Sequence, residues 1–114
     1  MLDYEITPQE LSQLLTSSNG DGGAEKPVLL DVREPVEYQT ARIEGSFLIP
    51  MGEIPQRAFN ELDPEAYIVT ICHAGVRSMN VAVWLRNQGF ERVQSLRGGI
   101  DAWSTQVDPN VPRY

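Results

Sequence analysis

The chain has 114 residues, 41% of them apolar, which suits one core of ordinary domain size. Its formal net charge of -7 argues against nonspecific binding to DNA or RNA and leaves room for a basic patch on a protein partner. The single cysteine, Cys72, excludes an internal disulfide and a tetrahedral thiolate metal site, and no apolar run approaches the roughly 18 residues of a membrane span.

Met1-Leu2-Asp3-Tyr4-Glu5 lacks the basic and apolar regions of a signal peptide, so a reducing cytoplasm is the expected location. Tyr4-Glu5-Ile6 reads as a short edge strand. Thr7-Pro8-Gln9-Glu10 reads as a helix start, with Thr7 as N-cap, Pro8 at the first helical position and Glu10 closing a capping box. Leu11, Leu14 and Leu15 then form one apolar stripe. The Gly-rich stretch from Ser17 to Lys26 (about 17–27 at its widest) reads as a flexible loop, because what precedes it is too short to fold alone.

Val28 to Val32 is the next strand. Pro35 opens a short helix through Tyr38 and Gln39. Phe47-Leu48-Ile49 is a short strand stopped by Pro50. Pro55 to Leu62 is a helix with Ala58, Phe59 and Leu62 expected inward, ended by Asp63-Pro64. Ile68-Val69-Thr70-Ile71 is a β-branched run, as expected of a strand covered on both faces. A tight loop follows, Cys72 to Ser78. A helix from Met79 to Gln88 then carries Val81, Trp84 and Leu85 at helical spacing, and Gly89 stops it. Arg92 to Leu96 is the last strand. Gly98-Gly99 opens a final helix with Ile100, Trp103 and Val107 on one face, and residues 108–114 form an extended tail. Strands alternating with helices imply a parallel sheet with helices on both faces, in one domain over 1–114.

A loop between a parallel strand and a helix lies at the carboxyl edge of the sheet, where open α/β folds bind ligands. Its backbone N–H groups can curl around its first residue, and the helix N-terminus adds partial positive charge. A cysteine there is expected to be more acidic than a free thiol. Arg77 adds a planar cation, and Gly75 lets the backbone turn.

This loop resembles the C-x-x-G-x-R active-site loop of the rhodanese family. Leu30-Asp31-Val32-Arg33-Glu34, followed by Glu37-Tyr38, is similar to that family's D-V-R signature. Arg42-Ile43-Glu44-Gly45-Ser46 with Ile49-Pro50 is similar to its H-I-x-G-A and I-P segment, with Arg42 where histidine is common. Leu96-Arg97-Gly98-Gly99-Ile100-Asp101-Ala102-Trp103 is similar to its closing L-x-G-G-x-x-A-W. Four such matches in order cover nearly the whole chain. The resemblance implies a rhodanese-like α/β fold, with a central, mostly parallel five-stranded sheet and helices on both faces.

The residues carry plain readings beside functional ones. Cys72 is either a small core thiol or the nucleophile, and its place in the whole loop favours the nucleophile. Arg77 is either an exposed cation or an oxyanion contact reaching over the loop. His73, the only histidine, lends backbone N–H rather than an obligatory base. Ser78 either caps the helix or bonds the sulfur, and the two readings are evenly balanced. Asp31 and Arg33 are either a surface ion pair or supports of the active-site edge, with Arg33 and Glu37 a candidate pair. Gly98 and Gly99 serve a turn, and Trp84 and Trp103 the core.

The resemblance implies a single-domain sulfurtransferase. Sulfane sulfur passes from a donor such as thiosulfate to cyanide, a thiol or a protein cysteine through a Cys72 persulfide. His73, Ala74, Gly75, Val76, Arg77 and Ser78 form the substrate cradle, and neither a metal nor an organic cofactor takes part. Three alternatives stand beside it. One is a noncatalytic, regulatory rhodanese-like binding module. Another is a thiolate phosphatase or arsenate reductase, disfavoured because only four residues separate Cys72 from Arg77, one fewer than in cysteine phosphatases. The third is a redox sensor, which would need a partner thiol.

Overall fold

A computed structural model describes residues 2–17 and 26–114; most of the expected glycine-rich loop lies outside the described residues. The elements in chain order are β1 (Glu5–Ile6), α1 (Pro8–Ser17), β2 (Val28–Asp31), α2 (Pro35–Thr40), β3 (Phe47–Leu48), a 3₁₀ turn (Met51–Glu53), α3 (Ile54–Glu61), β4 (Ile68–Ile71), α4 (Val76–Asn87), β5 (Val93–Leu96) and α5 (Gly99–Gln106). The strands form one sheet in the order β1-β5-β4-β2-β3, and every pairing is parallel. No described helix is long and apolar enough to cross a membrane.

Local chemistry explains the elements. The Thr7 Oγ1 accepts the Glu10 N–H at 3.1 Å and Glu10 Oε1 accepts the Thr7 N–H at 3.0 Å, so the capping box that opens α1 is closed in both directions. β4 is buried at every position, as its β-branched run requires. The pleat sends alternate residues to opposite cores. Ile68 and Cys72 join Leu30, Val32, Ile54, Ala58, Val81, Ala82 and Leu85 beneath α3 and α4. Val69 and Ile71 join Leu11, Leu29, Leu96, Ile100 and Trp103 beneath α1 and α5. Each Leu or Ile buried in this way contributes about 1.5–3 kcal/mol relative to exposure.

Three expectations need correction. Phe59 does not point inward; it is 57% exposed. Ile54, Ala58 and Leu62, spaced four apart, take the buried stripe, and Phe59 lies a further 100° round the helix, with its ring tilted against Phe90. α4 begins at Val76 rather than Met79, because Gly75 (φ 109°) turns the chain directly into the helix. The tail is not simply extended. It turns at Pro109–Asn110, buries Val111, and returns past α5, where Arg113 pairs with Asp101 at 2.8 Å.

The sheet order places the site. From β2 the chain steps outward to β3 and then crosses to β4 on the other side, so the strand order reverses between β2 and β4. A crevice opens at the carboxyl ends of strands where such a reversal occurs. Arg33 follows β2 and Cys72 follows β4, one on each side of this point.

Candidate active site

Cys72 leaves β4 on the face covered by α4, and its side chain is almost wholly buried. The Gly75 N–H donates to Sγ at 3.0 Å, and the Ser78 hydroxyl lies 3.2 Å from the same sulfur. Ser78 is not the helix cap; Gly75 holds that position, and Ser78 sits buried in the first turn of α4. Its Oγ also lies 2.7 Å from the Oγ of Ser95 on β5, and its carbonyl accepts the Thr70 hydroxyl at 2.8 Å. A short polar relay therefore runs from the sulfur into the sheet.

The loop is held from behind by α5. The Ile100 N–H donates to the Cys72 carbonyl at 2.8 Å, and the Asp101 N–H to the His73 carbonyl at 3.1 Å. These are unpaired first-turn donors of a helix, used here to fix another segment. The approach needs glycine: a Cβ on Gly99 would lie 2.4 Å from both carbonyl oxygens. Gly99 also has φ +64°, so the position excludes a side chain on two grounds. On the outer side, Ala74, Gly75, Val76, Met79 and Asn80 border a cavity of about 370 Å³ with Glu5.

The charged residues are arranged differently from the sequence reading. Asp31 and Arg33 are not a surface pair; both are fully buried, with Arg33 Nη2 2.7 Å from Asp31 Oδ2 and Nε 2.9 Å from Oδ1. Burial follows because β2 ends under the loop after α2, whose Ala41 carbonyl accepts Arg33 Nη2 at 2.6 Å. Arg33 meets Glu37 through the backbone carbonyl only, at 3.3 Å. The Glu37 carboxylate instead takes Arg77 in a two-point pair, Nη1 to Oε1 at 2.7 Å and Nη2 to Oε2 at 3.0 Å. It also accepts the Glu34 N–H at 2.9 Å and the Tyr114 hydroxyl at 2.8 Å. The Arg77 bonds are the main cause holding the Glu37 carboxyl down to about 2, burial opposing them and the Glu34 and Tyr114 bonds assisting.

Tyr114, which sequence reasoning missed, bridges the two systems. Its hydroxyl accepts Arg33 Nη1 at 2.8 Å and donates to Glu37, and its ring lies 4.5 Å from the His73 ring. The buried Nδ1 of His73 has no hydrogen-bond partner among the described residues. Ser95 was missed as well. Its signal was present but weak: a small hydroxyl on the α4 face of β5, in register with Thr70 of β4.

The model of the rhodanese-like domain matches residues 7–106. The chain belongs to the rhodanese-like family. It is 36% identical over 107 residues to a sulfurtransferase of Allochromatium vinosum, covering 94% of each chain. It is 33% identical over 99 residues to the thiosulfate sulfurtransferase GlpE of Glaesserella parasuis, covering 87% of this chain and 84% of that one. The crystal structure of a rhodanese-like domain protein from Staphylococcus aureus superposes with a TM-score of 0.79 at 27% identity, covering 98% and 99% of the two chains. Some curated relatives are much longer; the chain spans 30% of one and 26% of another. The rhodanese-like fold and sulfurtransferase kinship are thus established for this chain.

Proposed function

We propose that this rhodanese-like chain is a sulfurtransferase that carries sulfane sulfur on Cys72 as a persulfide. The observation that supports this reading most is the sulfur itself, at the carboxyl end of the central strand and bonded by the Gly75 N–H and the Ser78 hydroxyl.

The Cys72 thiolate attacks the outer sulfur of a donor. A new bond forms between Sγ and that sulfur, and the donor's own bond to it breaks. The electron pair leaves with the remainder of the donor, which is sulfite when the donor is thiosulfate. A thiophilic acceptor, such as cyanide or a thiol of a small molecule or protein, then attacks the terminal sulfur. The pair of the S–S bond returns to Sγ and regenerates the thiolate. No net oxidation or reduction is needed, and the two halves give ping-pong kinetics. The Gly75 N–H and Ser78 hydroxyl are fixed before the reaction and stabilise negative charge on sulfur without reorganising. The polar relay to Ser95 orients the Ser78 hydroxyl, and α5 keeps the loop from relaxing away.

Steady-state assay of sulfur transfer by wild type and Cys72→Ser tests the proposal. Loss of activity in a folded variant is the expected result; retained activity would contradict it.

A further inference from the structure

We infer that Glu37 is a specificity-determining residue of this site: by occupying Arg77, it turns the site against oxyanion sulfur donors such as thiosulfate and toward organic persulfides. This rests on the sulfurtransferase reading above. Among residues 72–78, Arg77 is the only permanent cation. It is not free. Both its terminal nitrogens are spent on the two oxygens of Glu37, in the same fork geometry an oxyanion would need. Glu37 is itself fixed, because the Glu34 N–H and the Tyr114 hydroxyl fill its remaining acceptor positions. Arg33 is fully buried on Asp31 and turned away from the cradle, whereas Arg97, held to Glu5 through Nε at 3.1 Å, and Arg113, held to Asp101 at 2.8 Å, are exposed side chains outside the loop.

The leaving group decides the consequence. In thiosulfate it is a sulfite group with three oxygens, which gains from a guanidinium fork and must compete with a tethered carboxylate for it. In an organic persulfide, RS–SH, it is a thiolate. Sγ bonds the outer sulfur, the RS–S bond breaks, its electron pair leaves on RS⁻, and the hydrogen stays on the transferred sulfur. That exchange draws nothing from Arg77.

The experiment compares kcat/KM for thiosulfate and for a low-molecular-weight alkyl persulfide, with cyanide as acceptor, in wild type, Glu37→Gln and Tyr114→Phe. Glu37→Gln keeps the shape and removes the charge. The ratio of thiosulfate to persulfide kcat/KM is expected to rise roughly fivefold, the equivalent of one partly exposed ion pair, mainly through a lower KM for thiosulfate. Tyr114→Phe removes one tether of Glu37 and keeps the carboxylate and its pair with Arg77, so a rise clearly smaller than that of Glu37→Gln is expected. Should Glu37→Gln not fold, Glu37→Asp serves. Its shorter carboxylate cannot hold both nitrogens, and a smaller rise in the same direction is expected. An unchanged or lower ratio in the folded Glu37 variant would overturn the inference, as would an equal rise in Tyr114→Phe, which would assign the effect to loosening of the loop. Those results would leave sulfur transfer standing. Failure of every donor in wild type would remove the sulfurtransferase reading itself.

Discussion

Arg33 and Asp31 form an ion pair in which neither side chain has any solvent exposure. Such a pair contributes little net stability over well-packed apolar residues, but breaking it leaves one charge buried without a partner. Asp31→Ala is therefore expected to cost about 3–5 kcal/mol, with Arg33 stranded beneath Tyr114 and Ala41. Urea denaturation checks this. A loss within the range of an exposed pair, below about 1 kcal/mol, would mean that water reaches Arg33 in solution.

Acid should find Glu37 next. Its carboxyl is lowered from 4.5 to about 2 in the folded protein, chiefly by Arg77. A depressed carboxyl stabilises the fold above its unfolded value and loses that contribution as the pH falls through the folded one. The Glu37 contribution is thus fully present above about pH 4.5 and is lost progressively toward pH 2. Glu37→Gln is expected to be less stable than wild type at neutral pH and to lose less between those limits. Denaturation midpoints measured from pH 7 down to pH 2 test the sign, and parallel curves for the two proteins would refute it.

Much of this was readable in the sequence, for a physical reason. The β-branched run of β4, the capping box of α1 and the glycines around the loop are local signals, and the structure realises each where expected. Longer-range features were not. Tyr114 reaches Glu37 across 77 positions, and no periodicity announces a tail that turns back over a helix. For Asp31 and Arg33 the sequence left a surface pair and a support of the active-site edge both open, because their burial depends on α2 and the tail closing over them. Ser78 looked equally suited to cap a helix or to bond the sulfur. The left-handed turn at Gly75 starts α4 early and leaves Ser78 beside the sulfur.

The Gly99 position offers a test of the loop anchor. Gly99→Ala places a Cβ 2.4 Å from the Cys72 and His73 carbonyl oxygens. Backbone carbonyls cannot swing aside as a side-chain tip can, so the loop must move. Sulfur transfer is expected to fall on the order of a hundredfold, as for a reacting group displaced by about 1 Å. Amide exchange at Ile100 and Asp101, measured alongside, is expected to quicken. Full activity with unchanged exchange would show that the anchor does not govern the sulfur's position.

Ser78→Ala isolates the polar relay. It removes the hydroxyl beside Sγ and leaves the Ser95 hydroxyl without that buried partner. A stability loss of about 1–3 kcal/mol is expected from the unsatisfied group. Turnover is expected to fall by roughly tenfold or more, on the scale of removing one preorganised donor. Kinetics at a temperature where the variant is fully folded separate the two effects. Wild-type turnover there would assign Ser78 to folding alone.

Intact-protein mass spectrometry reads directly where the sulfur goes. Wild type, Cys72→Ser and untreated controls are incubated with an organic persulfide or thiosulfate, then desalted and weighed. Wild type is expected to gain the mass of one sulfur atom, to lose it on addition of cyanide with matching formation of thiocyanate, and to yield a peptide modified at Cys72. Cys72→Ser is expected to gain nothing. Wild type that turns over donor and acceptor without ever carrying sulfur on Cys72, or sulfur gained equally by the serine variant, would contradict the account.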